Sequence, residues 1–219
     1  MRAARRFAGL PTGAVAHPAD RKAREALDRL PGVEAALRQI GRHSYETVAR
    51  LALLANGVRC GPRAFPQLAA ALREACDALD LAAPELFVEP RADATPRILG
   101  GDRPAVVLPS GLLDSLDEEE MFCVLAQQAS HIHCGHAPYL MVCDFARRFA
   151  DFLGIVGTPL LGVRLALEEW RRRAELSADR GALLVTGRLD LVLRVLQKLA
   201  GGRAAWGGVS PDALFEQEK

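Results

Sequence analysis

The sequence predicts one mainly helical domain carrying a small sheet, and three observations predict it. The 219 residues are 50% apolar and 25% charged, the make-up of an ordinary globular chain long enough for one sizeable core. Apolar residues recur at three- and four-residue steps through most of the chain, as amphipathic helices require. Two short runs, 85–89 and 105–108, are instead rich in Val, Leu and Phe and bracketed by Pro, Gly and Asp, which reads as strands of a small sheet.

Taken in order, residues 1–18 are polar and contain Pro and Gly, and are expected to be a flexible N-terminal arm. Residues 20–30 space charged and apolar positions as a helix ended by Pro31 and Gly32. A second helix is expected over 33–55, broken near Gly41, and a third over 65–79, where Leu68, Leu72, Cys76 and Leu79 share a face. After the two strands, Ser115 with Glu118 three residues on reads as a capping box. It opens a long helix whose first turn carries Asp117 and three glutamates, suited to the positive end of the helix dipole. Further helices are expected over 138–153, 160–185 and 190–199. No repeat and no long linker divides the chain, so 1–219 is expected to form a single domain.

Charge and cysteine usage exclude several classes. Lys and Arg total 28 against 27 Asp and Glu, a net +1, and the cluster Arg2, Arg5 and Arg6 is too short for the basic stripe of a nucleic-acid binder. The five cysteines, Cys60, Cys76, Cys123, Cys134 and Cys143, are odd in number and form no C-x-x-C pair, which argues against a disulfide framework and for a reducing, cytoplasmic setting. The basic N-terminus runs into Gly9, Pro11 and Gly13, unlike a secretory signal. Residues 121–143 lack Asp, Glu, Lys and Arg but hold three His and two Gln, a buried helix with a polar site and not a membrane span. The run 152–163, bounded by Phe152 and Val163, is more apolar, yet its twelve residues fall short of the roughly 20 that cross a bilayer. It reads first as a turn and the entry to a core helix, with a partner groove or a shallow peripheral membrane contact as the alternative.

The chemistry concentrates on the capped helix. Three of the five histidines, His131, His133 and His136, fall within six positions. Residues 127 and 131 stand about 40° apart on one helical face, the i, i+4 spacing by which His-Glu-x-x-His helices hold zinc between two imidazoles and use the Glu as general base. This chain resembles that motif with its first two residues exchanged: Gln127 stands at the first ligand position, Gln128 at the general-base position, and His131 is kept.

A second segment carries the resemblance further. Trp170-Arg-Arg-Arg-Ala-Glu-Leu-Ser-Ala-Asp-Arg-Gly181 is similar to the Glu-x-x-x-Asp helix that supplies the third zinc ligand in the HtpX-like family of zinc metallopeptidases. The resemblance puts Glu175 at the ligand position and Asp179 beside it. Shorter matches at 16–20, 30–34, 76–88, 109–113, 131–139 and 198–202 follow in the family's order and cover nearly the whole chain. It implies an α+β, mainly α, zincin-like peptidase fold: a helical body with a small antiparallel sheet beside a cleft. It also makes His136 a supporting position, and it implies that a strand near the cleft can pair with an extended peptide, although 92–101 lacks the family's usual Asn-Ala start.

The two glutamines decide the functional expectation. Catalytic zinc needs three protein ligands, an open position and a carboxylate to take the water's proton. Gln127 offers a neutral amide in place of an imidazole, and Gln128 has no accessible pKa near neutrality. The expected function is therefore that of a pseudo-peptidase, catalytically inactive, without a cofactor, acting by protein or peptide binding in a regulatory or scaffolding role. In that reading His131 and Glu175 pair directly, and Asp179 accepts from Gln127 or His131. One alternative is a zinc metalloendopeptidase with an altered ligand set, in which Cys134, three residues after His131, substitutes as a ligand beside His131 and Glu175. The other is an interaction protein using the apolar 152–163 surface. His133 is expected to face solvent.

Overall fold

The structure, a computed structural model, describes residues 6–31, 33–34, 37, 44–101, 103–149 and 159–201. The described elements, in chain order, begin with α1 (Thr12–Val15), α2 (Pro18–Asp28), α3 (Ser44–Asn56), β1 (Val58–Arg59) and α4 (Pro66–Ala78). The chain continues through β2 (Glu85–Glu89), β3 (Arg97–Leu99), β4 (Ala105–Pro109) and α5 (Ser110–Ser115). It then runs through α6 (Glu118–His133), α7 (Ala137–Phe149), α8 (Pro159–Thr186) and α9 (Leu189–Gly201). The fold is α+β and mainly helical, as the resemblance implied.

The strands form one sheet in the order β1-β2-β4-β3. Here the expected antiparallel sheet needs correction, because β2 and β4 run parallel, Glu85 opposite Ala105 and Val88 opposite Leu108, while the outer pairs are antiparallel. A parallel pair needs a crossover, and the 90–104 connection supplies it by laying β3 on the far side of β4. β1 and β3 went unseen in the sequence because two and three residues are too few to show alternation.

The sheet's period of two divides its side chains between two cores. Leu86, Val106 and Leu108 face the main core with α4, α6, α8 and α9, while Phe87, Leu99, Ala105 and Val107 face Leu53 of α3. A third cluster gathers Leu27 of α2, Tyr139 and Met141 of α7, and Leu167 and Trp170 of α8. At the centre lies α6, buried from Met121 to His131 except at Phe122, the signature of a helix surrounded by partners.

Two local expectations change. The capping box belongs to Asp117, whose side chain accepts from Glu120 N while Glu120 reaches back to Asp117 N. Ser115 instead ends α5, its Oγ donating to Gly111 O at 2.8 Å. The expected arm is docked from Phe7 onward: Phe7 N donates to Ala78 O, and Val15 and Ala16 are buried against Cys134. Residues 1–5, the break expected near Gly41 and the stretch 152–158 lie outside the described residues. No helix among the described residues is long and apolar enough to cross a membrane.

Candidate functional site

A cleft of about 590 Å³ opens where α6 meets α8, closed on its other sides by β3 with the loop before it, by α7 and by α9. Gln127, Gln128 and His131 of α6 line it together with Glu175 and Asp179 of α8, and Arg97 and Ile98 of β3 face them. The i, i+4 pairs on the two helices explain the convergence: each puts its two side chains on one helical face, and the two faces meet.

Within it the donors and acceptors are sharply assigned. Gln127 Nε2 donates to Asp179 Oδ1 at 2.7 Å. His131 Nε2 lies 3.3 Å from Glu175 Oε2 and His131 Nδ1 lies 3.0 Å from His136 Nδ1. His136 Nε2 in turn meets Asp20 Oδ2 at 3.0 Å, and Asp20 also accepts from Ser177 Oγ at 2.6 Å and Trp170 Nε1 at 3.1 Å. A buried line of polar groups thus runs from the cleft through α6 to α2, with His131, His136, Asp20 and Ser177 all at most 2% exposed.

The line fixes the histidine tautomers. Asp20 only accepts, so His136 Nε2 carries the proton and donates. A neutral His136 then offers Nδ1 as acceptor, and His131 Nδ1–H donates to it. Burial holds His136 below the usual histidine value against the opposing Asp20 hydrogen bond, which agrees with the neutral form. His131 Nε2 is left facing the Glu175 carboxylate, and a proton or another cation between the two satisfies both.

The carboxylates respond in opposite directions. Burial pushes Glu175 up, but the charge and hydrogen bond of His131 outweigh it and leave it lowered. Asp20 behaves alike, burial being overcome by His136, Ser177 and Trp170. Asp179 is pushed up to about 6, by burial first and then by the charge of Glu175, against the Gln127 hydrogen bond.

Of the sequence-predicted site residues, the structure brings together Gln127, Gln128, His131, Glu175 and Asp179, with His136 behind His131. Cys134 does not join them. It caps α6 at its C-terminus, still in helical conformation, and packs on Val15 and Ala16 on the side covered by the N-terminal arm, and burial pushes its thiol up to about 12. His133 is half-buried and not exposed, and its Nε2 finds no partner among the described residues. Reading the sequence missed Asp20, Ser177 and Trp170 as the anchor of the line. The available signal was an acidic residue seven positions before Leu27, on the buried face of α2.

The family model of peptidase family M48 matches residues 62–216. The chain is 30% identical over 212 residues to plastoglobule-localized metallopeptidase 48, chloroplastic, of Arabidopsis thaliana, a match that takes in 93% of this chain and 60% of that protein. It is 26% identical over 165 residues to protease HtpX homolog 2 of Methanosarcina mazei, over 62% of this chain and 55% of that protein. The chain therefore spans little more than half the length of these curated relatives. No solved structure matches it.

Proposed function

The chain belongs to peptidase family M48, and from that premise we propose that it is a member that binds protein or peptide segments in its cleft without cutting them. The observation that carries this reading is Gln128, the residue where the resembled motif has its general base. An amide cannot take the proton of an attacking water, and general-base assistance contributes roughly 10²–10⁴ in rate.

The residues present do not fit a catalytic zinc. His131 and Glu175 offer two donors, and the spacing of 3.3 Å is close to that of two ligands on a tetrahedral zinc. The third is lacking, because Gln127 turns its amide nitrogen, which cannot ligate, toward Asp179. Among the described residues no group of three His, Cys, Asp or Glu side chains is arranged to hold a metal ion. The free cysteines support residence in a reducing compartment such as the cytoplasm.

The deciding experiment measures metal content by mass spectrometry on untagged protein beside a Gln127→His/Gln128→Glu double variant. Zinc in the double variant alone is the expected result. Stoichiometric zinc in the native sequence, or peptide hydrolysis that disappears with Glu175→Ala, would sink the reading in favour of a metallopeptidase with an altered ligand set.

A further inference from the structure

Four arginines among the described residues line the cleft, and they fall into two pairs. Arg91 and Arg97 are committed. Arg91 pairs with Asp93 and Glu89, while Arg97 donates to Glu89 Oε2 at 2.6 Å and faces Asp144, which also accepts from Tyr45. Arg147 and Arg171 stand apart from these. They share one carboxylate, Glu168, which Arg147 Nε approaches at 3.5 Å and Arg171 Nη1 at 3.9 Å, each at a different oxygen. Neither makes a hydrogen bond to a described residue. A guanidinium presents a planar fork of N–H donors, so two cations around one loosely held carboxylate keep both positive charge and donors for a ligand.

The helical pattern aims both at the cleft. On α7, Cys143, Asp144 and Arg147 line it, and on α8 Arg171, Glu175 and Asp179 do, the three- and four-residue steps of one helical face. Glu168 is not part of that lining; the two arginines stand in front of it, and a ligand meets the cations first. Farther along α8 the acidic groups are engaged, Glu175 with His131 and Asp179 with Gln127. The α8 wall therefore runs from positive to negative. The Arg171 side chain is only 25% exposed and that of Arg147 54%, which joins a sheltered cation, where charge-assisted bonds gain strength, to a reachable one.

We infer that Arg147 and Arg171 form a carboxylate-binding subsite of the cleft, which holds the free C-terminus or an acidic side chain of the bound segment. This rests on the peptide-binding reading above. Arg171 precedes Glu175 by four helical residues, about 6 Å along the axis, and an extended chain rises about 3.3 Å per residue. The recognised carboxylate then lies about two residues from the part of the segment against His131 and Glu175. A guanidinium fork donates to both oxygens of a carboxylate at once, so the subsite selects by charge and planar shape.

The test uses four pools of octapeptides carrying a neutral fluorophore, with binding followed by anisotropy in metal-free buffer. Their randomised positions draw on uncharged residues, one central position is Glu or Gln, and the C-terminus is a free acid or an amide. The wild-type protein is expected to bind at least one carboxylate-bearing pool about tenfold more tightly than the Gln amide pool, the effect of a charge-assisted hydrogen bond. Preference for the free acid identifies the C-terminus as the source and preference for Glu the side chain; either supports the subsite. In Arg147→Gln and in Arg171→Gln that ratio should fall toward one, which general damage to the cleft would not produce, since it weakens all pools alike. Equal wild-type binding of all four pools, a readout that needs no variant, overturns the subsite and spares the peptide-binding reading. A preference that survives both substitutions also overturns it. Binding of no pool overturns both readings.

Discussion

A Cβ built on Gly181 would stand 2.1 Å from Ser130 Oγ and 2.5 Å from Ser130 Cβ. α6 and α8 therefore touch backbone to side chain at this point, one residue from His131 and two from Asp179, and the contact sets the separation across which Gln127 and His131 reach α8. Ser130 Oγ cannot swing aside freely, since it donates to Ala126 O at 2.7 Å. Gly181→Ala should destabilise the protein by about 1–3 kcal/mol, the usual range for overpacking, read as a lower urea midpoint. Adding Ser130→Gly removes both clashing atoms, so the double variant should lose less than the two single losses combined. Strict additivity would show that the helices are not in register here.

Asp20 supports the cleft from behind. Its two oxygens receive His136, Ser177 and Trp170 at 2% exposure, so Asp20→Ala strands three buried donors at once. Breaking a buried charged network by removing one partner typically costs about 3–5 kcal/mol, and this substitution should be among the most damaging in the chain. Differential scanning calorimetry on Asp20→Ala beside Asp28→Ala gives the comparison. Asp28 accepts from Tyr139 and, among the described residues, anchors that single donor. Equal losses at the two positions would contradict the network.

How much of this was legible follows from length of pattern. Gln127 with His131 was readable because a four-residue step on a helix fixes a common face whatever the surroundings, and Glu175 with Asp179 through the resemblance of 170–181 to the family's Glu-x-x-x-Asp helix. The Gln127–Asp179 and His131–Glu175 pairings followed from the chemistry left once those faces meet. The start of α6 was misplaced by two residues because Ser115 and Asp117 both stand three before a Glu, and only the short α5, which claims Ser115, decides between them. The parallel β2–β4 pair was not readable, since it depends on a three-residue edge strand. Nor was the Cys134 environment, because the arm that covers it reads as polar until Val15 and Ala16 are seen against α6.

Cys134 therefore yields a discriminating outcome. If it packs and does not ligate, Cys134→Ala placed in the Gln127→His/Gln128→Glu background should leave zinc content unchanged, with a stability loss of about 1 kcal/mol from the vacated volume. His131→Ala in the same background should abolish zinc. A metal content that falls with Cys134→Ala would mean that the C-terminus of α6 rearranges to bring the thiol into the cleft.

Asp179 makes the cleft wall pH-sensitive in a direction opposite to that of most acidic groups. Its carboxyl is raised from 3.8 to about 6 in the folded protein, so between those values the native state holds the proton that the unfolded chain has released. Stability then falls as pH rises through that window. The loss is complete above about pH 6, and a shift of about two units limits it to roughly 3 kcal/mol, less in practice because Asp179 is only half-buried. Asp179→Asn keeps an oxygen for Gln127 Nε2 and cannot ionise. The variant should match the parent near pH 4 and exceed it in urea midpoint at pH 7.5, the gap opening between pH 4 and 6. A gap that stays constant with pH would place the Asp179 carboxyl in its ordinary range and remove the repulsion from Glu175 as a feature of the cleft.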